Sequence, residues 1–109
     1  MFARKFRLPR EAFKAVGRGG QIATTYFVVK FVQNTLGHNR FAVILGTKVA
    51  KTATRRHFWK RRLVENLRRW PNLRSDFLIL GLPGLVMLDR AGLRRELESA
   101  AQKLFIHTP

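Results

Sequence analysis

The chain has 109 residues, with 22 Lys/Arg against six Asp/Glu, a formal charge of +16 and no cysteine. Disulfides and thiolate metal sites are therefore excluded, and a surface this basic repels itself unless a polyanion neutralises it, nucleic-acid phosphate being the usual one. A hydrophobic fraction of 46% suits one small folded domain over residues 1–109, and the longest apolar run, Phe77 to Leu88, is too short and too broken by Gly81, Pro83 and Gly84 to cross a bilayer.

Leu8 to Val16 reads as a short helix, with Pro9 suited to its first turn and Gly17, Gly19 and Gly20 ending it. Thr24 to Val32 is β-branched and aromatic and predicts a strand. Its alternation puts Phe27, Val29 and Phe31 on a core face and Tyr26, Val28 and Lys30 on the other. Asn34 to Asn39 is a turn and Arg40 to Gly46 a second strand, so the two strands are expected to pair as an antiparallel hairpin. Thr52 to Trp70 is a long helix. At 100° per residue Trp59, Leu63, Leu67 and Trp70 form its core stripe. Arg55, Arg62 and Arg69 lie along one flank and His57, Arg61 and Arg68 along the other. Arg56 and Lys60 fall inside the apolar sector, so the first turns are expected to project beyond the core. Pro71 ends the helix. Asp76 to Leu82, nearly all apolar, predicts a central strand. Asp89 can cap a last helix with Leu93, Leu97, Ala100 and Leu104 on one face. The order α-β-β-α-β-α predicts a small α+β sandwich.

Charge is distributed unevenly. Residues 1–75 carry eighteen Lys/Arg against Glu11 and Glu65 alone, which is the whole +16, while 76–109 balance to zero. The densest run is Lys51 to Arg62, with six Lys/Arg, His57, two aromatics and no acid among twelve residues. The plain alternative for such a run is a solvated helix face, but the surplus over the rest of the first two thirds argues for a bound polyanion. Binding through six to ten phosphates would weaken by roughly 10³–10⁵ between 50 and 200 mM salt. Catalytic groups are sparse. Glu11, Glu65, Asp76 and Asp89 are far apart in sequence, and each has a structural use as helix surface, strand start or cap. No metal bound by the protein is expected. His38 lies in a turn, His57 in the basic helix and His107 in the tail, and nothing makes two of them converge as acid and base. Gly17-Arg18-Gly19-Gly20 lacks the lysine and the context of a phosphate loop. No second helix precedes the basic one across a short turn, so a DNA-reading helix pair is not expected. By its residues the chain binds a polyanion and does not cut it alone. Phe13 and Tyr26 could present rings to unpaired bases, with Lys30 near phosphate.

These residues together resemble the protein subunit of bacterial ribonuclease P. The resemblance runs from Phe13 and Gly20 through Arg40 to Leu45 and Lys48-Val49-Ala50-Lys51. It culminates in Arg56-His57-Phe58-Trp59-Lys60-Arg61, with Glu65 and Leu67-Arg68 following, and ends with Asp76 to Leu80 and the helix from Leu93 to Leu104. Three departures stand out. His57 occupies the place of the signature asparagine. Gly46-Thr47-Lys48 replaces Ser-Lys-Lys. Gly17 and Lys30 stand where aromatics are common.

The resemblance implies a ribosomal-protein-like α/β sandwich with a left-handed β-α-β crossover. It implies a cytoplasmic ribonucleoprotein that removes the 5′ leader of precursor tRNA, in which the catalytic RNA subunit binds Mg²⁺ and does the chemistry. On that reading the RNA subunit is contacted by Lys48, Lys51, Arg55, Arg56, His57, Lys60, Arg61, Arg62 and Arg68. The leader lies in a cleft lined by Phe13, Tyr26, Val28 and Lys30. The protein itself holds no catalytic residue and no metal, and neither membrane nor DNA is a partner. Two other classes fit the residues less well: a ribosomal or other structural RNA-binding protein, and a protein-only nuclease.

Overall fold

The computed structural model of the protein describes residues 2–107, with the side chains of 106 and 107 outside the description. A short 3-10 turn leads into helix α1 (Phe13–Gly17). Three strands follow, β1 (Gly20–Ala23), β2 (Phe27–Gln33) and β3 (Arg40–Ile44). Then come helix α2 (Ala53–Leu67), strand β4 (Ser75–Gly81) and helix α3 (Arg90–His107). The chain order is thus α-β-β-β-α-β-α. The extra strand, β1, has the sequence Gly-Gln-Ile-Ala, which carries little strand signal of its own. It forms because the Thr24 hydroxyl accepts from the backbone N–H groups of Tyr26 and Phe27. That turn folds Gly20–Ala23 back against β2 in antiparallel register.

The sheet order is β1-β2-β4-β3, so the hairpin expected between the strands flanking Asn34–Asn39 does not form. β4 lies between them, antiparallel to β2 and parallel to β3. The reason is burial. Ser75 to Ile79 are buried without a break, and a strand apolar on both faces needs neighbours on both edges and cover on both faces. It takes the centre and leaves β3 as an edge strand. α2 therefore connects the parallel pair β3 and β4.

Each face of the sheet has its own cover. One carries Phe27, Val29, Phe41, Val43, Phe77 and Ile79, packed with Trp59, Leu63, Leu67, Leu93, Leu97 and Leu104 from α2 and α3. The other carries Leu78, with Val32, Ala42 and Leu80 beside it, under Leu8, Val16 and Phe13. The expected helical stripes are in place: Trp59, Leu63, Leu67 and Trp70 are buried, as are Leu93, Leu97, Ala100 and Leu104. Asp89 caps the last helix as expected, and Thr52 caps α2. Thr52 accepts from Arg55 N–H at 3.2 Å, and Asp89 accepts from Gly92 N–H at 2.6 Å. α2 ends at Leu67, a turn before Pro71.

Two segments outside the main helices and strands are tied down. Asn39 is buried; its Oδ1 accepts from Leu73 and Ser75 N–H and its Nδ2 donates to the Pro71 carbonyl. It fastens the loop after α2 to the start of β3. The N-terminal segment lies along the outer edge of β3, where Leu8 N–H donates to the Phe41 carbonyl at 2.8 Å. Phe2 is buried and stacked on Phe41, with ring centroids 5.0 Å apart.

Candidate nucleic-acid interface

The first buried residue of α2 is Trp59. The two turns before it stand clear of the core, as the charges inside the apolar sector required. Lys51, Arg55 and His57 are exposed there, and Lys48 is exposed in the loop leading in. Arg56 is half-buried, because its Nη1 donates to the Ala50 and Lys51 carbonyls at 3.0 Å each. That bond pair braces the loop against the helix and holds the guanidinium at the helix start. Lys60 is half-buried beside β3, and Arg61 points into solvent.

Arg62 stacks over the Phe58 ring at 4.4 Å and lies 5.4 Å from the Trp59 ring centre. Phe58 is 47% exposed, an aromatic surface that the helical stripe did not single out. Arg68 is placed elsewhere. It follows the last turn of α2, about 18 Å along the axis from Arg56 at 1.5 Å per residue. There it lines a hollow with Lys5, Phe6 and Trp70. The cations of the first turns form one cluster, and Arg68 is outside it.

The second face of the sheet brings together three of the four residues expected to line a cleft, Phe13, Val28 and Lys30. Val28 and Lys30 alternate with buried Phe27 and Val29, and they pair in register with Leu80 and Leu78 of β4. Phe13 packs over the same face, against the Leu8–Val16–Leu78 cluster. Tyr26 does not join them. It precedes β2, its amide is bound by Thr24, and its ring packs against the larger core. The period-two rule that placed it with Val28 and Lys30 holds only inside a strand.

Other cations stand near the α2 cluster without having been singled out. Arg7 and Arg10 line a groove of about 590 Å³ with Phe13, Ile44 and Lys60. Their signal in the sequence was weak, since a basic N-terminal segment reads equally well as a loose tail.

Asp76, Asp89 and Glu98 are used within the fold. Asp76 accepts from Arg40 and from Asn34 Nδ2, Asp89 caps α3, and Glu98 pairs with Arg94 at 3.0 Å. Among the described residues no group of three His, Asp or Glu could hold a metal ion. No described helix is long and apolar enough to cross a membrane.

Comparison with known proteins is consistent across three approaches. The family model described as Ribonuclease P matches residues 2–105. A ribonuclease P protein component of Legionella pneumophila (strain Corby) is 32% identical over 84 residues, which is 77% of this chain and 74% of the relative. The RNase P protein from Thermotoga maritima superposes with a TM-score of 0.78 at 25% identity, covering 89% of this chain and 96% of that one. An RNase P protein from Staphylococcus aureus shares the fold at 20% identity and a TM-score of 0.76, over 86% of this chain and 90% of that one.

Proposed function

The chain belongs to the ribonuclease P protein family, and on that premise we propose that it is the protein subunit of a ribonucleoprotein that removes the 5′ leader of precursor tRNA. The observation that carries the reading is the start of α2, whose cationic turns stand beyond the last core contact at Trp59. A helix end so placed can enter an RNA groove and give its charges to phosphates without unpacking the core. Lys51 and Arg55 supply charge there, and Lys60 and Arg61 continue it just past Trp59. Arg56 supplies it from a fixed position, and His57 stands among them in place of the usual asparagine.

The RNA subunit, in this proposal, holds the catalytic Mg²⁺ and does the chemistry. The protein neutralises phosphate repulsion, so that RNA and precursor associate at lower Mg²⁺. The face bearing Phe13, Val28 and Lys30 takes the single-stranded leader, the leader phosphates meeting Lys30 and the bases lying on apolar surface. Cytoplasmic residence follows from that role.

The test is reconstitution. The chain is combined with an in vitro transcript of a bacterial ribonuclease P RNA and a precursor tRNA, and leader removal is followed against Mg²⁺ concentration. The expected result is cleavage at Mg²⁺ levels where the RNA alone is slow, and none by protein freed of RNA. Equal cleavage with and without the protein at every Mg²⁺ level would sink the proposal.

A further inference from the structure

We propose that the N-terminal segment is a second contact for the backbone of the RNA subunit, forming with α2 one continuous phosphate track around the edge of β3. The inference rests on the functional reading above and adds the cations Arg4, Lys5, Arg7 and Arg10 to it.

Three depressions adjoin along that edge. The first lies between β3 and the start of α2 and includes Arg56, His57 and Lys60. The second shares Val43, Ile44 and Lys60 with it and adds Arg7 and Arg10. The third shares Arg7 with the second and adds Arg4 and Lys5. Among the described residues, no Asp or Glu lines any of the three. Arg40, which borders the third, is already neutralised by Asp76. Lys5 also borders the hollow that holds Arg68. The segment thus fills the gap along α2 between Lys60 and Arg68, which the helix alone leaves separated.

A basic tail would reach phosphates only by paying for its own ordering. This segment is already ordered. Phe2 is buried on Phe41, and Leu8 N–H bonds the Phe41 carbonyl. Arg7 Nε donates to the Phe2 carbonyl at 3.0 Å, and the Lys5 carbonyl bonds His38 Nε2 at 2.9 Å. Arg4, Lys5, Arg7 and Arg10 all remain exposed. Exposed cations on a docked backbone are preorganised for an extended polyanion, and their continuity with the α2 cluster assigns that polyanion to the RNA that α2 binds.

The experiment uses the full chain and measures affinity for a ribonuclease P RNA transcript, and separately for a precursor tRNA transcript, across a KCl series. The triple variant Arg4→Ala/Lys5→Ala/Arg10→Ala should bind the RNA subunit with a log–log salt slope lower by about two to three. It should melt as the wild type does, and Arg4→Lys/Arg10→Lys should keep the slope. Lys60→Ala/Arg61→Ala serves as the control for α2. An unchanged slope in the triple variant, with loss in the α2 variant, would overturn this inference and leave the functional reading standing. Loss on precursor tRNA alone would overturn the choice of RNA. Salt-insensitive binding of the wild type to the RNA subunit would overturn the functional reading, and this inference with it.

Discussion

Arg40 and Asp76 sit opposite one another in the parallel β3–β4 register, and Arg40 donates two hydrogen bonds to the carboxylate, Nε to Oδ1 at 2.9 Å and Nη2 to Oδ2 at 2.8 Å. Asn34 Nδ2 donates to the same Oδ1 at 2.8 Å, so the carboxylate ties the end of β2 to the central and edge strands. Burial pushes the Asp76 carboxyl up. The hydrogen bonds from Arg40 and Asn34, with the Arg40 charge, outweigh that and hold it below the usual carboxylate range. The bond to Asp76 raises Arg40 in turn.

A carboxyl lowered on folding stabilises the protein above its unfolded pKa of about 3.9, and that share is lost as pH falls through the folded value. Asp76→Ala should cost about 2–3 kcal/mol at neutral pH, less than a fully buried pair because Arg40 is 21% exposed. The difference in urea midpoint between variant and wild type should shrink as pH falls below about 4. A constant difference from pH 7 to pH 2 would show that the pair's charge contributes nothing.

Gly17 and Gly19, both legible only as helix stops, should respond oppositely to alanine. A Cβ on Gly19 would clash with the Phe31 carbonyl oxygen, where the chain entering β1 passes β2. Gly19→Ala should destabilise by about 1–3 kcal/mol through overpacking. Gly17 ends α1 with nothing within 4 Å of its Cβ position. Gly17→Ala should be neutral or stabilise by about 0.5 kcal/mol. Denaturant midpoints decide, and a stable Gly19→Ala protein would mean that β1 does not pass so close.

What could be read from the sequence was whatever had a period. The stripes on α2 and α3 and the apolar run of β4 follow from helical and strand geometry; the stripes are buried as read, and the run is buried as far as Ile79. Strand order is not periodic information. It depended on β4 being apolar on both faces, which competes with the local hairpin between β2 and β3, and that competition is long-range. β1 was illegible because Gly20 to Ala23 borrow their structure from β2. Asn39 was legible as a turn residue, but its three bonds to residues 71–75 require the fold first. Within the candidate site, residue type announced the α2 cations. Their neighbours at the N-terminus were invisible until Phe2 was seen stacked on Phe41.

Along α2, position decides what each cation does when removed. Lys60→Ala and Arg61→Ala should each lower the salt slope for RNA-subunit binding by about one and barely move the melting temperature. Arg56→Ala should lower the slope similarly and also cost about 1 kcal/mol of stability, since its Nη1 holds the Ala50 and Lys51 carbonyls. Binding across a KCl series, with thermal melts beside it, separates the two effects. An Arg56→Ala protein that melts like wild type would mean that the brace contributes no stability.

Lys30 offers the sharpest test of the leader face. It is half-buried on β2 between Gln21 of β1 and Leu78 of β4, on the face that Phe13 covers. Lys30→Ala should weaken binding of leader-bearing precursor by the reconstituted enzyme by up to about fivefold, the range of one solvent-accessible ionic contact. Mature tRNA, lacking the leader, should bind as before. Tyr26→Ala should behave differently, because Tyr26 packs against the larger core. It should lower the melting temperature, and once its folded fraction is accounted for it should bind precursor and mature tRNA as the wild type does. Affinities of both variants for both RNAs settle the matter. Equal losses on precursor and mature tRNA for Lys30→Ala would mean that this face does not read the leader. A precursor-specific loss for Tyr26→Ala would mean that the ring turns from the core to meet the RNA.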